Sequence, residues 1–360
     1  MHKILKLTAA GLILGTPVFS GGWEANRLDT SMMYNDGGYA EVSTSSISYD
    51  LYATNQSSVK HKMAKDQTRT TLSFKNQYGN FDVGLTRYMS GAIQMDGQAG
   101  ALMGTNLVPS ADVTATSLAL LGRYRINDNI SAFAGLNRYE VETSTVQTVY
   151  GLYQVSGDEI VPVVGAAYEN KEIALRVEAV LQVETDMALT ARSGVRNAGV
   201  AATTAVPAGS KLVVPQTMTL NFQSGIAEDT LLFGSIHKAD WKTAQISVLA
   251  NGPIVAVNSN FSNKTAYSLG IGRKINDQLS LIGSYSTEDG GGSTSADPFT
   301  LTDGYQTIGL AARYTKDNMT FTAGYSYSKV GDVTVTVAPM SAAYKDNEVT
   351  GIGAKIGFSF

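Results

Sequence analysis

The 360-residue sequence contains no cysteine, so neither a disulfide framework nor a thiolate metal site belongs to its design. Proline is scarce at eight residues and histidine scarcer at three, which leaves few breaks in regular structure and few imidazoles for catalysis or metal binding. Positive charge is not in excess: 27 Lys and Arg stand against 31 Asp and Glu, a net charge of −4, which argues against nucleic acid as a partner. Beyond the N-terminus no stretch approaches the roughly 20 apolar residues a membrane-crossing helix needs. No long segment repeats its apolar residues at helical spacing either.

What the chain has in quantity is glycine (36) and tyrosine (18), set in alternating strands. In the terminal run, Ile352, Ala354, Ile356, Phe358 and Phe360 alternate with Gly351, Gly353, Lys355, Gly357 and Ser359. A period of two places these sets on opposite faces, and an oily face without a helix to cover it needs a second sheet or lipid. The same two-faced pattern recurs at Met319, Phe321, Ala323, Tyr325 and Tyr327, and at Met218, Leu220 and Phe222. In 173–184 the inward parity is expected to hold Arg176, Glu178, Gln182 and Glu184, because a charge facing lipid costs about 2–4 kcal/mol at mid-bilayer.

Short polar turns follow strands, often after tyrosine, at Tyr78–Asn80, Tyr124–Asn129, Tyr168–Glu172, Ile226–Asp229, Lys274–Gln278 and Tyr314–Asn318. Asn and Asp suit such turns because they tolerate left-handed backbone and bond locally. Longer Gly/Ser/Thr/Ala/Asn-rich segments lie between the hairpins. This asymmetry predicts an all-β, antiparallel, up-and-down transmembrane barrel of about 14 strands, turns periplasmic and loops outside. A soluble sandwich also alternates, but it does not explain the aromatic terminus and the tyrosine-marked turns together.

Lys3 and Lys6 ahead of the apolar run 7–19 and the Val18-Phe-Ser20 site read as an export signal over residues 1–20, cut after Ser20. The expected organisation is then a short N-terminal hatch at 21–39 and a barrel at 40–360, in the outer membrane of a Gram-negative cell. Trp23, Leu28, Met32, Met33 and Tyr34 are too apolar for a fully solvated tail and are expected to plug the lumen. Apolar residues in the loops, including Leu102, Met103, Val149, Tyr150, Met187 and Leu189, are candidates for contact with an oily ligand. Together with Met32, Met33 and Tyr34 they form the expected ligand-binding set, with Arg176, Glu178 and Gln182 as polar lumen residues.

The stretch from Pro215 to Trp241, with Tyr124–Ala132, Ser268–Ser280 and the terminal strand, resembles the long-chain fatty acid transporter family of outer-membrane proteins, which includes aromatic-hydrocarbon channels. The resemblance implies a 14-stranded barrel with an N-terminal hatch, passive uptake of hydrophobic molecules, and lateral exit at a kinked third strand. Here that strand is Phe81 to Ser90, whose outward parity runs into Arg87. The family's Asn-Pro-Ala hatch motif is absent, and Tyr88–Ala92 replaces its Pro-Phe-Gly turn. The chain is expected to act as a monomer touching lipid and lipopolysaccharide, with no cofactor, metal or catalytic group. A general diffusion porin is the rival reading. A lipid-hydrolysing enzyme built on His237 is another, but Asp240 lies three residues on, on the opposite face of the strand. Glu288, Asp289 and Asp297 are the acids a calcium site would draw on.

Overall fold

The computed structural model describes residues 22–54, 60–97, 109–148, 151–195, 202–252, 254–337 and 340–360. The expected export signal, Leu102, Met103, Val149 and Tyr150 lie outside the described residues. The wall consists of β1 (Tyr39–Asp50), β2 (Gln67–Tyr78), β3 (Phe81–Asp96), β4 (Ser110–Arg125), β5 (Ile130–Gln147), β6 (Leu152–Asn170) and β7 (Leu175–Gln182). It continues through β8 (Thr217–Ala227), β9 (Thr230–Ala239), β10 (Lys264–Lys274), β11 (Leu279–Glu288), β12 (Tyr305–Lys316), β13 (Met319–Val330) and β14 (Glu348–Ser359). Each strand pairs antiparallel with its sequence neighbours. The ring closes where β14 meets β1, from Tyr39 opposite Ser359 to Asp50 opposite Glu348.

The alternation that marked the strands is the alternation of the wall. Leu310, Ile352, Phe358 and Tyr325 point outward and are exposed, whereas Thr307, Ser326 and Lys355 are buried on the inner side. Such a belt of apolar side chains is stable only against hydrocarbon. The short turns gather at one end, with Tyr78, Tyr124, Tyr168 and Phe360 exposed around them. Asn127 and Asn276 fold their turns by accepting from the amides two and three residues on, and Asp229 and Asp317 take the left-handed backbone.

One expectation needs correcting. The strand read as 173–184 is shorter: Ile173 lies in a 3-10 turn, β7 ends at Gln182, and Glu184 is exposed rather than in the lumen. Asn170 is the reason at the start, since its side chain accepts from the Glu172 amide and diverts the backbone.

At the other end the long loops fold on themselves. Thr185–Ala188 pairs with Lys211–Val214, which pairs with Ile246–Val248, and Val333–Val337 pairs with Met340–Tyr344. Their apolar side chains build a buried cluster that includes Met63, Tyr153, Met187, Leu212, Val214, Trp241, Phe261, Phe299 and Leu301. Loop-end apolar residues are therefore largely packed against one another.

Candidate functional site: the lumen and the parting of two strands

Residues 22–38 lie against inward-facing side chains of the barrel. The 3-10 turn Ser31–Tyr34 buries Met32 and Met33 against Leu121, and any side chain at Gly84 would collide with both methionines. Tyr34 is held between the guanidinium groups of Arg123 and Arg176, each 4.1 Å from its ring centroid. Its hydroxyl donates to Glu178, and Thr30 donates to the other oxygen of the same carboxylate at 2.8 Å. Arg123 donates to the Met33 carbonyl at 2.8 Å, and Lys75 donates to the carbonyls of Asn35 and Gly37. Lys75 and Asp82 form an ion pair at 2.9 Å with both side chains fully buried. Breaking such a pair strands a charge, so it fixes the neighbouring backbone firmly.

The upper part of the segment meets the wall where the wall is incomplete. Pairing of β2 with β3 runs from Tyr78 opposite Phe81 to Leu72 opposite Arg87 and stops, while β3 continues along β4 to Asp96. The β3–β4 register shifts between Met89 and Gly91, a bulge that turns β3 away from β2. Residues 23–25 take up the freed edge: Ala25 donates to the Ser90 carbonyl at 2.9 Å and Ala92 donates to the Trp23 carbonyl at 2.8 Å. Gly91 is required there, because a Cβ at that position would enter the Trp23 indole. Further up, Asp96 donates to Met63 and Lys65 to Gln94, so a loop segment replaces β2 along the rest of the edge. Arg69 of β2, itself buried, ties this corner together by donating to the Ala25 carbonyl and the Tyr49 hydroxyl, both at 2.6 Å.

Trp23 also stacks edge-on against Trp241, and Trp241 against Phe261, with centroids 6.5 and 5.7 Å apart. The N-terminal segment thus joins the wall gap to the loop core. Beside it Glu24 accepts from Arg27 at 3.1 Å and lies 3.2 Å from Nε2 of His237, whose Nδ1 is 2.8 Å from the Thr219 hydroxyl. Asp240 takes no part; it pairs with Lys238 at 3.1 Å.

Of the sequence-derived candidates, Met32, Met33 and Tyr34 are brought together in the lumen with Arg176 and Glu178, while Gln182 bonds Tyr139 and the Pro215 carbonyl. Met187 and Leu189 belong to the loop core instead. Asp297 is spent inside its own loop, accepting from the Phe299 amide and Thr300 hydroxyl, and no acidic or histidine cluster able to hold a metal occurs among the described residues. The Ser90–Gly91 bulge, Arg69 and the Glu24–His237 contact carried no local sequence signal, since each depends on partners dozens of residues away.

These features define a closed 14-stranded antiparallel barrel with an N-terminal segment in its lumen and a parting in its wall. Solved structures share that fold. A FadL homologue from Pseudomonas aeruginosa aligns over 96% of this chain and 99% of its own with a TM-score of 0.73 at 14% identity. The toluene transporter TodX of P. putida aligns over 92% of both chains (TM-score 0.67, 12% identity), and the Ralstonia pickettii toluene transporter TbuX over 95% and 97% (TM-score 0.62, 9% identity). No family profile matches the sequence, and no curated protein matches it.

Proposed function

We propose that this chain is an outer-membrane channel for passive uptake of hydrophobic small molecules, long-chain fatty acids or hydrocarbons. In this reading residues 21–39 form the hatch after removal of the signal at 1–20, the loop core receives the ligand, and the ligand leaves sideways into the bilayer. The observation that carries it is the parting of β2 and β3, closed from within by Trp23–Ala25 rather than by a wall strand. An oily molecule gains nothing from a wet lumen, so a side exit shortens its path through water. The shared fold with proteins described as toluene transporters supports the same substrate class. The protein works as a monomer surrounded by lipid and lipopolysaccharide, without a cofactor.

The test is uptake of labelled oleate and toluene by a host lacking its own hydrophobic-uptake channel, complemented with this gene. A cysteine pair at Ala25 and Ser90, whose backbones bond at 2.9 Å, is expected to block uptake when oxidised and restore it when reduced. The chain has no other cysteine to interfere. In planar bilayers the purified protein should conduct little; a large, steady conductance would support a diffusion porin instead.

A further inference from the structure

The lumen is divided by chemistry. On the β4–β7 side Leu28, Met32, Met33, Leu121, Phe133, Val163 and Val180 make it apolar. Across the lumen, walled by β1–β3, β9–β14 and residues 26–29, lies a cavity of about 230 Å³ with many hydroxyl-bearing side chains in its lining. The strand register explains it. Asn221 sits opposite Ser235, Ser235 opposite Ser268, Ser268 opposite Ser286, Ser286 opposite Thr307, and Thr307 opposite Ser328. That is one unbroken polar row across β8 to β13. In the neighbouring row Ser284, Gly309, Ser326 and Gly351 stand opposite one another in turn, and Gly309 adds no side chain to the cavity it lines.

Some of these hydroxyls satisfy each other, Ser235 with Ser268 at 2.8 Å and Thr307 with Ser328 at 2.7 Å. Ser284, Ser286 and Ser326 line the cavity and show no protein partner among the described residues. The fixed charges at the cavity are already committed. Lys355 lies 3.3 Å from Glu41 and 3.9 Å from Asp29, Arg27 pairs with Glu24, and Arg69 donates from all three nitrogens to Gln67, Tyr49, Ala25 and Asn26. Lys355 and Arg27 are thus neutralised by acids and the N–H groups of Arg69 are taken by neutral acceptors, so an anion finds no free donor among them, and a hydrocarbon would displace water from the unpartnered serines while returning no hydrogen bond. A hydroxyl both donates and accepts, so the complementary ligand does the same. The volume lies below the roughly 300–1,000 Å³ of drug-sized ligand sites, which limits the ligand to a few carbons.

We propose that this part of the lumen, beside residues 26–29, is a hydrophilic binding site that takes small uncharged polyhydroxylated solutes. The test is saturation-transfer NMR on the purified full chain with glycerol, arabinose and hexanoate as separate probes. Saturation is expected to reach glycerol and arabinose but not hexanoate in a way that depends on the hydroxyls. The triple variant Ser284→Ala, Ser286→Ala, Ser326→Ala removes three hydrogen-bonding groups without breaking a protein–protein bond, and should weaken arabinose binding about tenfold or more. Gly309→Met keeps every hydroxyl but fills the space, and should abolish the signal; it decides the matter if the triple variant does not refold. Heat-modifiable migration on gels reports folding. No transfer to either polyol in the native protein, equal transfer in the folded variants, or hexanoate binding that the triple variant weakens would each overturn the proposal. Failure of oleate or toluene uptake would leave this result untouched, because the readout is binding of a polyol.

Discussion

The phenolic hydroxyl of Tyr34 lies 2.6 Å from Oε1 of Glu178, a carboxylate almost fully buried inside the barrel. Thr30 and Asn221 donate to its other oxygen, both at 2.8 Å, so one acid fastens the N-terminal segment to β7 and β8 at once. The two arginines stacked on the Tyr34 ring hold the same residue from its faces. Segment and wall are thus joined by a small charged network.

Removing Glu178 should free the segment while leaving the barrel intact. Each hydrogen bond to a charged group contributes about 1.5–3 kcal/mol, and Glu178→Ala deletes two that hold the segment. A reporter cysteine at Ser31, in a chain that has none, is expected to react with a maleimide at least about tenfold faster in the Glu178→Ala background. Tyr34→Phe, which loses one bond, should fall between. Unchanged labelling in both would show that the segment is held elsewhere.

Gly91 admits the Trp23 indole, so a single methyl there should part the segment from β3. Overpacking of this kind costs about 1–3 kcal/mol. Gly91→Ala is expected to speed hydrogen exchange of the Ala25 and Ala92 amides by about one to two orders of magnitude. Adding Trp23→Ala should restore protection by making room again. If the single variant exchanges like the native protein, sterics at the bulge do not control the closure.

The wall was legible in the sequence because its signal is local. Ile352, Ile356 and Phe358 announce a lipid-facing parity within one strand, and Asn127, Asn276, Asp229 and Asp317 announce turns within four residues. The N-terminal segment stood out in the sequence only by its surplus of apolar residues. Its seat was not legible there, because Trp23 meets Gly91 and Trp241, and Tyr34 meets Arg123, Arg176 and Glu178, all far along the chain. Alternation alone also misjudges the lumen. Val180 has inward parity in a strand whose other inward residues are polar, yet it packs with Phe133 and Val163 in an apolar half that only the closed ring creates. The hydroxyl row across β8 to β13 is invisible for the same reason: register between strands is not written in any one of them.

Leu310 is among the most exposed large apolar side chains, at 62%, and faces the belt that lipid covers. Leu310→Arg should lower the stability of the folded barrel in bilayers by about 2–4 kcal/mol, read from urea refolding midpoints. Ser326→Arg, on the inward face of the adjacent strand, should cost less because its charge can reach the wet lumen. A greater cost at Ser326 than at Leu310 would mean that the inside and outside of β12 and β13 are exchanged.

The loop between β11 and β12 should stabilise on mild acidification. Asp297 has no solvent exposure; burial pushes its carboxyl up to about 6, against the smaller opposing pull of the Phe299 amide, the Thr300 hydroxyl and the Asn260 amide. An aspartate in the unfolded loop titrates near its ordinary value of about 4. Between these two values the folded loop holds a proton that the open loop has lost, so stability falls as pH rises through this window and is lowest above it. Protection of the Phe299 and Thr300 amides, corrected for intrinsic exchange, is therefore expected to be greater at pH 5 than at pH 7.5. Asp297→Asn keeps an acceptor for the Phe299 amide and removes the charge, so its protection should be the same at both pH values and should exceed that of the native loop at the higher one. A native loop that is better protected at pH 7.5 would reverse the sign and show that the carboxylate, not the acid, is what the loop holds.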